Sequence, residues 1–225
     1  MEKGGTTESY NARKLGGNKK KPLLGHDKAE IDYRAEKVTF KDIANWKKSI
    51  GQVTDEEYEI IGGMNETGYI KNRKSYEINK AMREGTVNKL SEKVQNTIEV
   101  LKDVISRNKS VCDAVLIRKV DRDYIKNVYD IETDNLEEAV EKLNAKKLGD
   151  TYKEKAFVST SYKADKNINK SDEVEIEILA PKGTNMFLTK NRTESEIILA
   201  PDTTFELEGA VLTEEGKIRL IMKVK

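Results

Sequence analysis

Residues 193–199 read Thr-Glu-Ser-Glu-Ile-Ile-Leu, which places two carboxylates two positions apart at the start of an apolar run. Side chains alternate between the two faces of a strand, so Glu194 and Glu196 would point the same way if both lay in one strand. If the strand begins near Glu196, Glu194 lies on the loop that leads into it. Other pairs, such as Glu206 and Glu208, have the same spacing and are typical of a solvated strand face. The importance of Glu194 and Glu196 therefore depends on the rest of the chain.

The composition limits the kinds of function. The 225 residues form one large domain or two small ones, and 41 Lys and Arg balance 40 Asp and Glu. A net charge of +1 argues against a general nucleic-acid or membrane-surface binder. The single cysteine excludes an internal disulfide, and no apolar run approaches the ~18 residues that span a bilayer. We expect a monomer with no metal, no nucleic acid and no membrane among its partners.

The sequence pattern changes from helices to strands along the chain, which is typical of an α+β domain. Residues 1–35 are rich in Gly, Lys and Asn and predict a flexible tail, and residues 36–225 predict a single domain. Helices are expected near Phe40 to Trp46, from Thr54 to Ile61, from Ser75 to Met82, from Val87 to Ile105, after an Asp121 cap, and over 134–148. Strands are expected at 114–117, 156–162, 174–179, 185–188, 196–199, 204–212 and 217–224.

Three polar elements stand out in this layout. Arg118 ends an apolar strand, Ser159-Thr160-Ser161 lies inside a later strand, and Glu194-x-Glu196 opens another. Taken singly, each has an ordinary structural explanation. An arginine at a strand end is usually a surface charge, and hydroxyl side chains in a strand often bond to nearby backbone. The order of the three elements carries more information than any one of them.

In that order, the three elements resemble the arginine–serine–glutamate class of the bacterial mono-ADP-ribosyltransferase toxins. This class includes actin-modifying binary toxins and Rho-modifying exoenzymes. The segment Tyr76-Glu77-Ile78-Asn79-x3-Arg83 is similar to one that helps hold NAD in the class. The resemblance covers about residues 38–225. It implies an ADP-ribosyltransferase-like fold, with an N-terminal helical part followed by a mostly antiparallel two-sheet β core.

The resemblance implies NAD as co-substrate and assigns residues to it. Arg118 would anchor the nicotinamide ribose and a phosphate, with Arg83 as the second phosphate arginine. Both assignments suit a planar guanidinium that binds phosphate oxygens in pairs. Asn79 would donate or accept a neighbouring hydrogen bond. Thr160 and Ser161 would shape the nicotinamide pocket.

The resemblance also assigns the catalytic residues. Cleavage of the nicotinamide–ribose bond produces an oxocarbenium-like cation, which a carboxylate stabilises. Glu196 would fill this role, and Ser159 would orient it. Glu194 would orient or deprotonate the acceptor, and a Glu-x-Glu pair goes with arginine acceptors in the family. Lys119 departs from the family pattern, in which many relatives have Arg or Gly after the strand arginine.

The resemblance therefore implies a secreted bacterial enzyme that acts in the host cytosol. It would transfer ADP-ribose from NAD to an arginine of a host protein, such as a cytoskeletal protein or a small GTPase, and release nicotinamide. Two alternatives stay open. The first is an NAD glycohydrolase whose main acceptor is water. The second is a non-catalytic module that binds a partner protein on the same scaffold.

Overall fold

The computed structural model describes residues 53–62, 68–70, 74–146, 150–162, 173–190 and 195–225. The predicted tail at 1–35 lies outside the described residues, and so does the helix predicted near Phe40 and Trp46. Glu194 lies outside them too. The account below concerns the described residues alone.

The first third of the described chain is helical. It contains α1 (Asp55–Gly62), α2 (Lys74–Glu84) and α3 (Glu92–Arg107), with a short 3-10 turn at Val87–Lys89. A reciprocal capping box starts α1 as predicted. The Thr54 backbone N–H donates to Glu57 Oε2 at 2.9 Å, and the Glu57 N–H donates to Thr54 Oγ1 at 3.1 Å. Gly85, with a φ of 68°, follows the last residue of α2.

The long helix predicted from Val87 is shorter than expected. Val87 lies in the 3-10 turn, and Leu90 has an extended backbone with φ −76° and ψ 158°. Ser91 is also extended, so α3 begins only at Glu92. The apolar spacing continues through the break because Val87 and Leu90 pack against the same core as the helix that follows. Hydrophobic periodicity alone could not reveal this boundary.

Two helices and eight strands form the rest of the described chain. The helices are α4 (Asp123–Tyr129) and α5 (Leu136–Ala145). The strands are β1 (Ala114–Val120), β2 (Thr151–Glu154), β3 (Val158–Ser161), β4 (Val174–Ala180), β5 (Met186–Leu188), β6 (Glu196–Leu199), β7 (Thr203–Leu212) and β8 (Ile218–Val224). They are ordered β2-β7-β8-β4-β1-β3-β6-β5. All neighbouring pairs are antiparallel except β4 with β8.

The predicted α+β class and its mostly antiparallel sheet are confirmed. The two expected sheets form one continuous eight-stranded sheet, because β1 pairs with β3 through the single register pair of Ile117 and Ser161. Two local predictions are wrong. Strand β2 was not predicted, because its Thr-Tyr-Lys-Glu sequence lacks an apolar alternation. Asp121 is not the cap of α4, whose N-cap position is Arg122 and has no side-chain cap hydrogen bond.

Two apolar cores enclose the strands that follow the helices. One core joins α4 and α5 to the sheet and includes Ile197 and Leu199 of β6. The other joins α1, α2 and α3 to Phe157, Phe187 and Ile198. Because successive β6 residues enter opposite cores, all four residues of this strand are buried. The first of them, Glu196, is therefore held in a rigid environment. Among the described helices, none is long and apolar enough to cross a membrane.

Candidate active site

A cavity of about 880 Å³ opens where α2 and α4 meet β1, β2, β3 and β6. Its lining includes every described residue that the sequence predicted for the site: Asn79, Arg83, Arg118, Ser159, Thr160, Ser161 and Glu196. Other lining residues are Ser75, Tyr76, Lys119, Val120, Asp121, Tyr124, Asn127, Val128, Tyr152, Lys153, Glu154 and Lys155. The structure therefore brings together residues that are far apart in the sequence.

The strand register explains why these residues meet. Ser161 of β3 lies opposite Ile117 of β1 on one side and opposite Glu196 of β6 on the other. Arg118 follows Ile117, and its Nη1 donates to the backbone oxygen of Ser159 at 2.8 Å. This bond fixes the guanidinium at the junction of the two sheet halves. The junction thus joins the arginine, the hydroxyl run and the glutamate that the sequence singled out.

Glu196 is the first residue of β6, as predicted, and is only 6% exposed. Its Oε2 accepts a hydrogen bond from Thr189 Oγ1 at 3.3 Å, and its backbone oxygen accepts one from the Thr189 N–H at 3.1 Å. Ser195, just before it, has a φ of 49°, a left-handed conformation that costs energy for a residue other than glycine. Strand β6 therefore begins after Ser195, and Glu194 lies outside the described residues.

Ser159 joins a network that the sequence analysis missed. Its Oγ lies 3.5 Å from the hydroxyl of Tyr69, and that hydroxyl accepts a hydrogen bond from Asn79 Nδ2 at 3.0 Å. Tyr69 is 1% exposed, and this burial raises its pKa. Thr189 donates a hydrogen bond to the Glu196 carboxylate, and the Ser159 hydroxyl lies 3.5 Å from that of Tyr69. The predicted role of Ser159 in orienting Glu196 stays a prediction.

Arg83 lies at the cavity but is engaged in an ion pair. Its Nε and Nη2 donate to Glu154 Oε1 and Oε2 at 3.0 and 3.2 Å. Burial alone would lower the pKa of Arg83, but the hydrogen bonds and charge of Glu154 raise it. Glu154 also accepts hydrogen bonds from the Tyr152 hydroxyl and the Ala156 N–H, both at 2.9 Å. The second predicted phosphate arginine is thus fixed in place by a buried acid.

Thr160 and Ser161 differ in what their side chains can do. Thr160 Oγ1 donates to the backbone oxygen of Ile197 at 2.8 Å, so this hydroxyl supports the pairing of β3 with β6. Ser161 is 2% exposed and faces Glu196 across the same pair. Both residues line the cavity, as predicted. Their roles toward nicotinamide stay predictions.

Four residues of this network were not found from the sequence: Tyr69, Tyr152, Glu154 and Thr189. None belongs to a recognisable motif. Tyr69 lies 90 positions from Ser159, and Arg83 lies 71 positions from Glu154. Only the folded chain brings such pairs together. The part of the chain that the structure describes has no cluster of three or more His, Cys, Asp or Glu that could hold a metal ion.

Comparison with known families identifies the protein class. The sequence model of the ADP-ribosyltransferase exoenzymes matches residues 35–225. The chain belongs to this family. No curated protein sequence matches it significantly. The family and the fold class that the sequence predicted are therefore confirmed.

Solved structures of toxin enzymes share the fold. C3stau2 from S. aureus, solved with NAD, has a TM-score of 0.67 and 20% identity, and the match covers 92% of this chain and 99% of that one. The Clostridium limosum C3 exoenzyme has a TM-score of 0.66 and 14% identity, over 92% and 100% of the two chains. The enzymatic component C2-I of the Clostridium botulinum C2 toxin has a TM-score of 0.64 and 16% identity, over 83% of this chain and 46% of that one.

Proposed function

We propose that this exoenzyme binds NAD in the 880 Å³ cavity and transfers its ADP-ribose to an arginine side chain of a host protein. The observation that carries the proposal is the convergence of Arg118, Ser159 and Glu196 on one cavity that also contains Asn79 and Arg83. The sequence pattern predicts each of these residues for the site. The binding of NAD to the related C3stau2 enzyme supports the choice of co-substrate.

The polar groups of the cavity suit a dinucleotide. Arg83 and Arg118 supply two guanidinium groups for the two negative charges of a pyrophosphate. Asn79 is 8% exposed, and its buried Oδ1 has no hydrogen-bond partner among the residues that the structure describes. A buried acceptor of this kind costs free energy unless a donor reaches it. A ribose hydroxyl of NAD would supply that donor, so the unpaired oxygen favours a ligand in this part of the cavity.

The proposed chemistry begins with the bond between nicotinamide and ribose. The bonding electron pair leaves with nicotinamide, which becomes neutral, and positive charge develops on the ribose. The carboxylate of Glu196 stabilises this charge and accepts a hydrogen bond from the ribose 2′-hydroxyl. Thr189 holds Oε2 of Glu196, and this bond limits the rotation of the carboxylate. The fixed position of Glu196 in β6 avoids reorganisation during the reaction.

The second half of the reaction forms a bond from an arginine nitrogen to the ribose carbon. The guanidinium must lose a proton as this bond forms, because its pKa is above about 12. We assign Glu194 as the general base that accepts this proton. Its carboxylate can accept the proton as positive charge builds on the acceptor in the transition state. The pairing of Glu-x-Glu with arginine acceptors in the toxin class supports the assignment. The class implies cytoskeletal proteins and small GTPases as host targets. The proposal includes secretion of the enzyme by a bacterium and action in the host cytosol.

An acceptor assay tests the arginine assignment. Radiolabelled NAD is incubated with the protein and a host-cell lysate, and the labelled products are treated with neutral hydroxylamine. An ADP-ribose on arginine is released, whereas one on asparagine remains. Glu194→Gln should lose protein labelling by about 100-fold or more while it continues to release nicotinamide from NAD. Parallel loss of both activities would show that Glu194 does not act on the acceptor.

The same assay separates the alternatives. Nicotinamide release by the wild-type protein without any labelled protein would identify a glycohydrolase whose acceptor is water. Labelling that resists hydroxylamine would contradict arginine as the acceptor. If folded wild-type protein showed neither activity nor any binding of NAD, the proposed function would be wrong, and the non-catalytic binding module would be the better hypothesis.

A further inference from the structure

We propose that Glu154 is a positioning residue that sets the orientation of Arg83 toward the pyrophosphate of the bound dinucleotide. This inference rests on the proposed binding of NAD in the cavity. No motif identifies Glu154, since it ends the short strand β2 and its neighbours Lys153 and Lys155 are exposed. Its contacts distinguish it from the other acids of the described chain.

Glu154 is saturated by donors. Its two carboxylate oxygens accept four hydrogen bonds, from Arg83 Nε, Arg83 Nη2, the Tyr152 hydroxyl and the Ala156 N–H. Its side chain is 6% exposed, whereas that of Arg83 is 43% exposed. The acid is thus anchored in the protein, and the arginine extends from it toward the solvent-accessible cavity. A carboxylate with this many donors is stable at a partly buried position.

The geometry of the guanidinium explains what this anchor does. Arg83 donates two hydrogen bonds to Glu154 from Nε and Nη2, which form one edge of its planar guanidinium; we call this paired arrangement the fork. Two of its five N–H groups are occupied, and the described residues leave the other three, on Nη1 and Nη2, available to a ligand. A paired fork has little rotational freedom, so these remaining donors keep one direction. The anchor therefore prepares Arg83 for phosphate before NAD arrives.

The anchor also connects the two layers that form the cavity. Arg83 belongs to α2, and Glu154 lies at the end of β2, four positions before the first residue of β3. The Ala156 N–H bond fixes the segment that leads to Ser159. Movement of the guanidinium and movement of this segment are therefore coupled through one carboxylate.

Charge and orientation predict opposite effects for Glu154→Gln, and this opposition makes the test decisive. If Glu154 acted only through its negative charge, its removal near an anionic pyrophosphate would tighten NAD binding. If Glu154 positions Arg83, the amide variant cannot accept both hydrogen bonds from the Arg83 guanidinium. One of the two terminal atoms of glutamine is a donor, and it would face other donors. We expect the dissociation constant for NAD, measured by calorimetry, to rise about tenfold. The KM for NAD should rise with it, and kcat should change less than about threefold.

A double-mutant cycle tests whether Glu154 acts through Arg83. Arg83→Lys keeps the positive charge but cannot form the fork. Each single variant should weaken NAD binding, and the double variant should be about as weak as Arg83→Lys alone. Additive losses would overturn the proposal, because they would show that the two residues act separately. Unchanged or tighter NAD binding by Glu154→Gln would also overturn it.

A matched variant controls for the loss of an ion-paired carboxylate away from the cavity. Glu99→Gln removes the exposed ion pair of Glu99 with Lys102 in α3, whose side chains are 68% and 41% exposed. It should leave NAD binding unchanged. Glu154→Asp retains the charge but shortens the side chain, so the contacts with Arg83 are weakened and the affinity for NAD should fall below that of the wild type. This variant tests the proposal if the amide variant unfolds, and unchanged NAD binding by it would overturn the proposal. Failure of the wild-type protein to bind NAD would instead contradict the proposed function, so the two failures are distinguishable.

Discussion

Individual side chains at the cavity differ in how far the sequence could predict them. Arg118, Ser159 and Glu196 were predicted because a strand arginine, a hydroxyl run and a glutamate pair occur in a definite order. Tyr69 and Thr189 were not predicted, because each acts through a partner that only the fold brings near. Tyr69 contacts Ser159, and Thr189 donates to Glu196. The order of motifs can thus reveal residues that line the cavity, but not the buried residues that contact them.

Thr189→Val should slow the reaction without unfolding the protein. The substitution keeps the shape of this buried side chain and removes the hydroxyl that donates to the Glu196 carboxylate. A hydrogen bond to a charged group contributes about 1.5–3 kcal/mol, and the 3.3 Å distance places this one near the lower end. We expect kcat for nicotinamide release to fall about tenfold. Thr189→Ser retains the hydroxyl and should keep most of the activity, and equal losses in both variants would contradict this role.

Ser195 should tolerate glycine but not valine. Its φ of 49° is easy for glycine and strained for a β-branched residue. Ser195→Val should lower the free energy of unfolding by about 1–3 kcal/mol, and Ser195→Gly should leave it nearly unchanged. Urea denaturation of the two variants measures the difference. Equal stability of the glycine and valine variants would show that the left-handed conformation is absent in solution.

Secondary-structure elements were predictable where their pattern is local and complete. Strand β6 begins at Glu196 as predicted, because an acid is followed by three apolar residues. Strand β2 was missed because its stability comes from pairing with β7 and from the Glu154 contacts. The start of α3 was misplaced because the apolar spacing crosses the 3-10 turn. The sequence of an element that depends on distant contacts contains too little periodic pattern to predict it.

Helix α1 supports the segment that holds Glu196. The Tyr58 hydroxyl accepts a hydrogen bond from the Lys190 N–H at 3.0 Å, and Lys190 Nζ lies 4.2 Å from the centre of the Tyr58 ring. Glu57 also pairs with Arg107 of α3. The helix is therefore attached both to α3 and to the residue after Thr189.

Thr54→Ala should test the contribution of the α1 cap. The substitution removes the hydroxyl that accepts from the Glu57 N–H, and the loss of such a cap costs about 0.5–2 kcal/mol. We expect the midpoint of urea unfolding to fall accordingly, measured by circular dichroism. Thr54→Ser retains the acceptor and should be close to the wild type. An alanine variant as stable as the serine variant would show that the capping box contributes nothing.

At the scale of the whole molecule, the sheet places its polar groups in two ways. Some of them line the cavity, whereas Glu177 of β4 is fully buried. Burial raises the pKa of Glu177 to about 8, and the charge of Arg219 only partly offsets it. The family fold was predictable from the order of motifs. The buried acid was not, because alternation in β4 does not show whether the second face is covered.

Glu177 should make the stability of the protein depend on pH. Below about pH 4.5 this acid is protonated in both the folded and the unfolded state. Between 4.5 and about 8 the folded state retains a proton that the unfolded state has released, so the free energy of unfolding decreases as pH rises through this window. Above about 8 the contribution is constant.

Glu177→Gln should remove this dependence. Urea unfolding at several pH values should show a gain in stability over the wild type that grows from pH 5 to pH 8, on the order of a few kcal/mol at the upper end. Glu141→Gln, at an exposed position of α5, is the matched control and should change little. A constant difference between Glu177→Gln and the wild type at all pH values would contradict the raised pKa.

The central claim is that the Glu196 carboxylate stabilises the ribose cation formed from NAD in the cavity. The most direct test compares nicotinamide release and NAD binding by the wild type and by Glu196→Gln, which keeps the size of the side chain and one acceptor oxygen but removes the negative charge. We predict that kcat falls about 100-fold or more, whereas the dissociation constant for NAD stays within about threefold. An undiminished kcat, or a loss of activity explained entirely by weaker NAD binding, would contradict the account.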